Sequence, residues 1–414
     1  MEAFITKTSP GFWNLFAKGF DRAYFFAKKF FMNRNKMGVL ILTPFFSPNI
    51  GGVETHLDNL VSILDEKGYR VFVQTYSPIT TENTPWEKRE LIGNNIKINR
   101  YRWFGKNLFH KLENYPILDF LYLTPYLFFR SLLFMATNSQ KIDIIHAQGL
   151  NAGAIGVVLK AIFQKRLLIS LHAIYSNIGK HRLTALTMRT ILNGADVALG
   201  MSKAVNEQFN QTGMKGNNLK EYRYWVDLKH FKPMNLKESR KKIGVDDRFT
   251  VLFVGRLIPI KGIKLLVEIA RELKKIQFLF IGAGPLETFL KSASEKNHNI
   301  QFLGQVHNTD LPAYYNSADL FCIPSQYEEG LGRVVMESVA CGIPVVGSNR
   351  GGISEALNKT ISILVTPTHE NLKNVIKMLH IDNEQLKALK IGCRDYALMN
   401  YSKQNLDLIT RHYV

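Results

Sequence analysis

Short apolar runs and amphipathic stretches alternate along the chain from residue 36 onward. The run "KMGVLILTPFFSP" (36–48) shows no polar alternation in its apolar part, which is typical of a strand buried on both faces of a sheet. In "VETHLDNLVSILDEKG" (53–68) apolar residues recur at helical spacing, with Gly68 at the end, so a helix is predicted. "YRVFVQTY" (69–76) predicts the next strand. Strand, helix and strand in this order indicate a parallel sheet covered by helices.

The alternation continues in two series, which predicts two doubly wound, Rossmann-like α/β domains that face each other across a cleft. The first series continues with strands at 141–149, 166–175 and 195–202. The second is predicted to have strands at 248–257, 276–284, 300–304, 319–325 and 343–348 and helices at 261–275 and 309–318. A linker at 224–233 joins them. We expect a first domain at 37–225, a second at 226–395, and a C-terminal helix at 396–414 that returns to the first domain.

Residues 1–36 form a separate segment that is basic and rich in aromatic residues. At about 100° per residue, most aromatic side chains of "GFWNLFAKGFDRAYFFAKKFF" (11–31) fall on one broad face and most charges on the other. This profile predicts an amphipathic helix that lies in an anionic membrane interface. A helix that packs on the first domain or on a dimer partner has the same profile, so both interpretations stay open.

A second apolar run, "ILDFLYLTPYLFFRSLLFMA" (117–136), is interrupted by Asp119, Pro125 and Arg130. Its position predicts a helix of the first domain. The helix could belong to the core or present a face that touches a membrane. The sequence leaves these two alternatives open.

The composition narrows the class of protein without selecting a function. With 46% hydrophobic and 21% charged residues, the 414-residue chain is typical of a globular protein of two or three domains. We predict no membrane span, because no 20-residue segment is free of charge. We predict no secretory signal, because the N-terminus lacks a clean apolar core and a small-residue cleavage site. Three cysteines without a C-x-x-C pair indicate a reducing cytosol and no zinc site. The net charge of +19 favours an anionic partner, whether nucleic acid, membrane or acidic small molecule.

The stretch "EEGLGRVVMESVACGIPVV" (328–346) places Glu329 and Glu337 around a glycine-rich entry into a predicted helix. Gly330 and Gly332 allow the backbone to approach a ligand closely. The free N–H groups of the first helical turn, at residues 331–334, suit an anion. Carboxylates accept hydrogen bonds from sugar hydroxyls, so the two glutamates could hold the two ends of a ligand. Alternatively, both are solvated charges on a helix.

This stretch resembles the signature of retaining glycosyltransferases of family 4, in which seven residues separate two glutamates and which have the GT-B fold. The likeness continues through "ACGIPVVGSNRGGISEAL" (340–357) and includes "FVGRLIPIKG" (253–262), "FIGAGPLE" (280–287), "FLGQV" (302–306) and "YNSADLFCIPS" (315–325). In the first half, "PFFSPNIGGVETH" (44–56), "DIIHAQ" (143–148) and "SLHAIY" (170–175) match more loosely. The resemblance covers most of the chain and implies a GT-B fold with a donor site on the second domain.

The resemblance implies a role for individual residues. Arg256 and Lys261 would hold the donor diphosphate, whose negative charge grows as it leaves. Gly51 and Gly52 would bring a loop of the first domain close to the same phosphates. His172, at the end of a predicted strand, would approach the donor sugar near the scissile bond. Taken alone, Arg256 and Lys261 could be solvated surface charges. Gly51 and Gly52 could form an ordinary turn, and His172 could have a structural role.

The same resemblance assigns the donor sugar hydroxyls to Glu329 and the ribose hydroxyls to Glu337. Val306 would present backbone groups to the base. The remaining donor-binding residues lie at the start of the predicted helix: Leu331, Gly332, Arg333 and Val334. Many relatives have an aromatic residue where this chain has Leu331. We expect the difference to be tolerated, because backbone groups make the contacts there.

No Asp-x-Asp pair, the usual site of the divalent metal in the other large glycosyltransferase fold, occurs in the chain. A clamp built from Arg256, Lys261 and a helix N-terminus can neutralise a diphosphate instead. We therefore expect transfer without a metal and without a cofactor. Retention of configuration is implied by the resemblance only, and no residue is identified as a nucleophile.

These expectations combine into an enzyme on the cytosolic face of a membrane. It would transfer a sugar from a UDP- or GDP-sugar to a lipid-linked glycan or glycolipid, with residues 1–36 attached to the anionic surface. A soluble acceptor is one alternative. A catalytically inactive basic binding or scaffold protein is another, although no known nucleic-acid motif is found.

Overall fold

In a computed structural model, the chain is described at residues 37–49, 51–79, 84–105, 108–112, 115–172, 182–211 and 218–414. Its strands form two sheets, of eight and six strands. The predicted fold class, two doubly wound α/β domains, is confirmed. The amphipathic helix predicted within residues 1–36 lies outside the described residues.

The first sheet has the strand order β3-β4-β2-β1-β5-β6-β7-β8, and all neighbours are parallel except β3 and β4. Its central strands are apolar runs buried on both faces, which is why the sequence shows little alternation there. The strands are β1 (Gly38–Leu42), β2 (Arg70–Tyr76), β3 (Arg89–Ile92), β4 (Ile96–Tyr101), β5 (Ile144–Gln148), β6 (Arg166–Leu171), β7 (Val197–Gly200) and β8 (Leu219–Glu221).

Helices connect these strands: α1 (Gly52–Glu66), α2 (Leu108–Leu112), α3 (Pro116–Leu123), α4 (Pro125–Asn138), α5 (Gly149–Phe163), α6 (Arg182–Gly194) and α7 (Lys203–Gln211). The apolar run at 117–136 is therefore two helices, because Pro125 starts a new one. The β3–β4 hairpin at the edge of the sheet was not predicted. Its strands are short and half polar, so they carry no continuous apolar signal.

The second sheet is parallel throughout, in the order β11-β10-β9-β12-β13-β14. Its strands are β9 (Thr250–Val254), β10 (Gln277–Ile281), β11 (Ile300–Phe302), β12 (Leu320–Ile323), β13 (Val345–Ser348) and β14 (Ser362–Val365). Its helices are α8 (Leu236–Ile243), α9 (Ile263–Glu272), α10 (Glu287–Lys296), α11 (Leu311–Ser317), α12 (Arg333–Ala340), α13 (Gly351–Ala356), α14 (His369–Ile381) and α15 (Asn383–Asn400). The predicted elements of this domain are present with shifts of a few residues at their ends.

After α15 the chain returns to the first domain through a 3-10 turn (Lys403–Leu406) and the short helix α16 (Asp407–Thr410). Tyr401 accepts a backbone hydrogen bond from Val226, so the two crossings between the domains lie side by side. At the C-terminus, the buried Tyr413 hydroxyl contacts Nδ1 of His146 at 2.8 Å. The last residues thus belong to the core of the first domain.

A buried arginine fixes the start of β12, the strand that leads to the glutamate stretch. Arg240 of α8 forms an ion pair with Asp319 at 2.6 Å and donates to the carbonyl oxygen of Ser317. Asp319 also accepts from the backbone N–H of Thr250 at 2.9 Å, which joins β9 to the same point. Removal of one partner from a buried pair leaves the other charge without compensation.

We expect Arg240→Met to lower the free energy of unfolding by roughly 3 kcal/mol, because the buried carboxylate of Asp319 loses its main partner. Urea unfolding of the two proteins measures the difference. Lys387→Met is the matched control, since Lys387 pairs with Glu384 at an exposed position and should contribute less than about 1 kcal/mol. Equal effects of the two substitutions would contradict this account of Arg240.

Candidate functional site

Glu329 and Lys261 lie together at the carboxyl edge of the second sheet. Nζ of Lys261 is 2.6 Å from Oε2 of Glu329, and both residues are buried. The hydroxyl of Ser325, just after β12, donates to the other carboxylate oxygen. Both oxygens of Glu329 therefore have partners within the chain. A sugar hydroxyl that binds Glu329 must join or replace these contacts.

The backbone around Lys261 is held in one conformation by Gly262. Lys261 ends a single 3-10 turn (Pro259–Lys261), and Gly262 has a φ of 73°, a left-handed value that favours glycine. A Cβ atom on Gly262 would lie 2.1 Å from the carbonyl oxygen of Pro324. The close approach keeps the Lys261 turn against the end of β12. This packing brings Lys261 and Gly262 close to Ser325, although Ser325 lies far along the sequence.

Two glycines that the sequence interpretation did not assign support the loop of Glu329. The backbone N–H of Gly352 donates to the carbonyl oxygen of Glu329 at 2.8 Å. A Cβ atom on Gly352 would lie 1.7 Å from the carbonyl oxygen of Gly330, and one on Gly351 would lie 2.7 Å from that of Glu329. The start of α13 therefore packs directly on the loop. The signal for this contact was present in "NRGG", but only the fold shows what the glycines touch.

Glu337 lies on α12 and is also buried. Its carboxylate accepts from Nε of Arg333 at 2.9 Å and from the Tyr315 hydroxyl at 3.0 Å. Burial raises the pKa of Glu337, and the guanidinium of Arg333 opposes that shift. Nη1 of Arg333 is buried and has no hydrogen-bond partner in the described part of the chain. Arg333 thus has an unused donor beside the helix start.

The helix α12 begins where the sequence predicts. Gly332 precedes it with a φ of 64°, and the helix runs from Arg333. Leu331 is buried, which suits an apolar residue in place of an aromatic one. Val334 is half-buried in the first turn. The free N–H groups of this turn carry the positive end of the helix dipole, which attracts anions.

His172 follows β6 in the first domain and is held on both ring nitrogens. Nε2 contacts Oε1 of Gln148 at 2.8 Å, and Nδ1 contacts the hydroxyls of Tyr224 at 2.6 Å and Tyr222 at 3.0 Å. The ring of His56 stacks on Tyr224 at a centroid distance of 4.0 Å. Burial lowers the pKa of His172 to about 3. His172 is therefore neutral at physiological pH, and its tautomer follows from these partners.

The two domains meet directly beside these residues. A Cβ atom on Gly330 would lie 2.7 Å from Sδ of Met201 and 3.4 Å from the carbonyl oxygen of His172. A side chain at position 330 would require the Met201 side chain to move, so the Glu329 loop and the first domain are in close contact here. Glu355 of α13 accepts from the backbone N–H groups of Lys203 and Ala204, at 2.7 and 2.8 Å, where α7 starts. The cleft is thus closed at one end by an interdomain hydrogen-bonded contact.

The remaining predicted site residues lie in segments that follow strands of the two sheets. Arg256 comes just after β9 with an exposed side chain, for which no partner exists in the described part of the chain. Gly51 and Gly52 lie at the start of α1, after β1, and the position of a Cβ atom on Gly52 is open. Val306 follows β11 and is half-buried.

The arrangement is suited to an anion that also carries hydroxyl groups. Lys261, Arg333 and Arg256 supply positive charge on the second domain, and the first turn of α12 adds N–H donors. The buried carboxylates of Glu329 and Glu337 can accept from hydroxyls. Among the described residues no group of three or more His, Cys, Asp or Glu could hold a metal ion.

Several residues of the site were missed from the sequence. Gln148, Tyr222 and Tyr224 hold His172, and Ser325 and Tyr315 each hold a glutamate. Gln148 and Ser325 lie at the carboxyl ends of predicted strands, so their position was a usable signal. The tyrosines come from the linker and from a helix, and nothing in their local sequence marks them.

Comparison with known proteins finds two family models, which match successive parts of the chain and together cover most of it. The model "Glycosyltransferase Family 4" matches residues 50–228, and "Glycosyl transferases group 1" matches residues 235–394. The first therefore covers the eight-stranded domain and the second the six-stranded domain with the glutamate stretch.

The chain is 30% identical over 226 residues to a GDP-mannose-dependent alpha-(1-6)-phosphatidylinositol monomannoside mannosyltransferase of Mycobacterium tuberculosis. This match covers 50% of the chain and 59% of the relative, so it spans less than two thirds of that protein. In structure, the chain resembles sucrose-phosphate synthase of Thermosynechococcus elongatus, with a TM-score of 0.76 and 21% identity over 91% of this chain and 97% of the other. Anabaena HepE in complex with UDP and glucose gives 0.72 and 20%, over 91% and 98%. These structural likenesses show the GT-B fold.

The burial of His146 predicts how the free energy of unfolding depends on pH. Burial lowers the pKa of His146 to about 3, whereas an unfolded histidine titrates near 6.5. The unfolded chain therefore binds the extra proton first, and the stability due to neutral His146 is complete above pH 6.5 and lost as the pH falls toward 3. Between about pH 7.5 and 5.5 the free energy of unfolding should fall by about 1.4 kcal/mol less in His146→Asn than in the wild type.

Urea unfolding at the two pH values measures this difference. Asparagine retains hydrogen-bonding groups toward Ser170 and Tyr413, so the variant should fold. His298→Asn, which replaces an exposed histidine of the second domain, is the matched control. If His146→Asn showed the full pH dependence of the wild type, the neutral buried state of His146 would be wrong.

Proposed function

The chain belongs to the family 4 glycosyltransferases of GT-B fold, and from this premise we propose that it transfers a sugar from a nucleoside-diphosphate sugar to a membrane-associated acceptor. The observation that carries the proposal is the buried pair of Lys261 and Glu329 beside the first turn of α12. This pair places a cation for a phosphate next to an acceptor for sugar hydroxyls. A nucleotide sugar presents both groups in one molecule.

The second domain would bind the donor. Lys261, Arg256 and the first turn of α12 neutralise the diphosphate as its charge grows in the transition state. Glu329 holds the donor sugar and Glu337 the ribose, while Val306 meets the base. Lys261 then exchanges its contact with Glu329 for one with a phosphate, which leaves the carboxylate oxygen to a sugar hydroxyl. The free-state ion pair therefore keeps both groups in place before the donor arrives.

The donor would be a GDP- or UDP-sugar, transferred with retention of configuration and without a metal. The mannosyltransferase relative is described as GDP-mannose-dependent, and the HepE structure contains UDP and glucose. In retaining transfer without a protein nucleophile, the acceptor attacks on the face from which the phosphate departs, and a phosphate oxygen takes its proton. The neutral ring of His172, fixed by Gln148 and Tyr224, contributes position and shape near the sugar.

The acceptor would be a glycolipid or a lipid-linked glycan. The mannosyltransferase relative is named for a phosphatidylinositol acceptor. In this chain, α3 and α4 expose apolar side chains, and their junction lies at the carboxyl end of β2, because the Tyr76 hydroxyl donates to Leu123 and accepts from the N–H of Leu127. An apolar surface therefore reaches the edge of the first sheet that faces the cleft. A membrane there would bring a lipid-linked acceptor to the donor.

Among the described residues, one stretch, Pro116–Lys141, is apolar and long enough to cross a membrane by length and composition alone. In its most apolar window, 28% of the residues are buried. Because the stretch is two helices packed along the first sheet, we propose peripheral attachment to the cytosolic face. Residues 1–36 would add their aromatic face and their basic charge to the same contact.

Transfer should depend on the cationic clamp and on no added metal. We expect Arg256→Ala and Lys261→Ala each to lower kcat/KM by about a hundredfold, as for the loss of one group that stabilises transition-state charge. A panel of UDP-, GDP- and ADP-sugars with a membrane lipid extract measures transfer, and NMR of the product gives its anomeric configuration. Lys264→Ala, an exposed lysine one turn further on, is the control.

EDTA should leave wild-type transfer unchanged. Strong inhibition by EDTA that manganese reverses would refute the metal-free mechanism. Transfer to soluble glycans in place of lipid would refute the membrane-associated acceptor while leaving the donor site intact.

Substitutions of the two glutamates should differ in their effect on the affinity for the nucleoside diphosphate. Glu329→Gln retains shape but loses the charge that holds Lys261 and the sugar, so transfer should collapse while free UDP or GDP still binds. Glu337→Gln should instead weaken binding of the nucleoside diphosphate by about 1–3 kcal/mol, the cost of a lost charge-assisted hydrogen bond. Calorimetry with the free nucleotides decides. Equal loss of affinity in both variants would show that the ribose and the sugar are not divided in this way.

A further inference from the structure

A cleft on the outer side of the first domain has no role in the donor site. It lies between α4 and the β3–β4 edge of the sheet and has a volume of about 420 Å³. Five cations line it: Lys88, Arg89, Lys97, Arg100 and Arg130. No Asp or Glu is among the described residues that line it. A concave surface with this charge selects for an anion.

The β-sheet register explains why two of these cations, Lys97 and Arg89, lie on one face. On β4, Lys97 and Asn99 point to the same face because side chains alternate along a strand. Lys97 is paired with Phe72 of β2, and Asn99 with Arg89 of β3, so their side chains share that face. The helix α4 covers the β2 side of this face and leaves the hairpin side open. The hairpin missed from the sequence thus forms one wall of the cleft.

The cations differ in how far the chain already compensates them. Arg100 is almost fully buried, pairs with Glu90 at 2.6 Å and donates to the carbonyl oxygen of Ser47, so its role is structural. Arg130 lies over the ring of Tyr101 at 4.5 Å, and its Nε is buried with no acceptor in the described part of the chain.

Lys88, Arg89 and Lys97 are exposed, and none has an ion pair within the described residues. These three side chains, with Arg130 behind them, are available to an outside anion. Their charge is what the cleft offers to a ligand.

An exposed apolar stripe leads into the same cleft. Phe129 and Leu133, one turn apart on α4, are 60% and 64% exposed, and Leu133 also lines the cleft. On α3, Ile117, Leu118 and Leu121 are each more than half exposed. The only charge of α3, Asp119, accepts a hydrogen bond from Asn151. The positively charged cleft and the exposed apolar side chains therefore adjoin one another at Leu133.

We propose that this cleft binds the phosphate headgroup of an anionic phospholipid while the stripe on α3 and α4 enters the bilayer. A free phosphate would use the cations but not the stripe, and a purely apolar partner would use the stripe but not the cations. A phospholipid uses both at once. The site rests on the proposed function only for the presence of a membrane, since it shares no residue with the donor site.

The charge arm of the test uses the full chain and vesicles with about one third phosphatidylglycerol in phosphatidylcholine. The triple substitution Lys88→Gln, Arg89→Gln and Lys97→Gln should weaken vesicle binding about a hundredfold, since each basic residue near an anionic surface is worth about fivefold. The control removes the same charge from exposed lysines of the second domain: Lys242→Gln, Lys274→Gln and Lys275→Gln. If control and triple variant bound alike, the cleft would not be the headgroup site.

The apolar arm reports the occupant of the stripe. All three native cysteines are buried, so Leu133→Cys introduces one exposed thiol for an environment-sensitive fluorophore. The label should shift to shorter wavelength with phosphatidylglycerol vesicles, but not with inorganic phosphate. Ile391→Cys, at a 79% exposed position on α15, is the control and should not shift. A label at position 133 that is already shielded without vesicles would show that residues 1–36 or a second copy cover the stripe, and would overturn the proposal.

Two further outcomes separate this site from the proposed function. Calorimetry with UDP and GDP checks that the triple variant is folded and retains its donor site. Saturable binding of inorganic phosphate that the triple variant loses, without loss of vesicle binding, would identify a soluble-anion site and overturn the lipid. Vesicle binding as expected, with no transfer from any nucleotide sugar, would overturn the proposed function and support the lipid site.

Discussion

The buried pair of Lys261 and Glu329 is the constraint on which the site depends. Two charges at 2.6 Å in a largely buried position are stable only when their geometry is fixed and their remaining bonds are satisfied. Gly262 fixes the turn of Lys261 against Pro324, and Gly352 fixes the carbonyl of Glu329. Ser325 takes the second carboxylate oxygen. Gly262 and Gly352 therefore allow the close packing that holds this ion pair in place.

The same loop also determines how close the two domains come. Gly330 contacts the Met201 side chain and lies near the carbonyl of His172, so a larger residue there would require Met201 to move. His172 in turn is fixed by residues from β5 and from the linker. The linker and the end of α15 cross between the domains side by side. The positions of His172, the linker and the Glu329 loop therefore depend on one another.

Sequence patterns predicted most of this architecture, and the omissions have physical causes. Long apolar runs such as that of β1 and the amphipathic spacing of α1 and α9 are strong local signals, and they appear where expected. The β3–β4 hairpin depends on pairing at a sheet edge and has little local pattern. For the site, spacing within 328–346 indicated the two glutamates. The contact of Arg333 with Glu337 joins residues four apart on one helix, so the spacing could have indicated it. The contact of Lys261 with Glu329 exists only after distant segments pack, so spacing could not reveal it.

The net charge of +19 acquires a meaning only when the cations are sorted by their surroundings. Lys261 and Arg333 are buried and paired with glutamates, so under the proposed function their charge would act on a ligand inside the cleft. Lys88, Arg89 and Lys97 are exposed and unpaired within the described residues, so they act on whatever approaches from outside. The first kind of charge is little screened by salt, whereas the second is screened within a Debye length of about 8 Å. Buried and exposed cations therefore take part in different interactions, although both add to the same net charge.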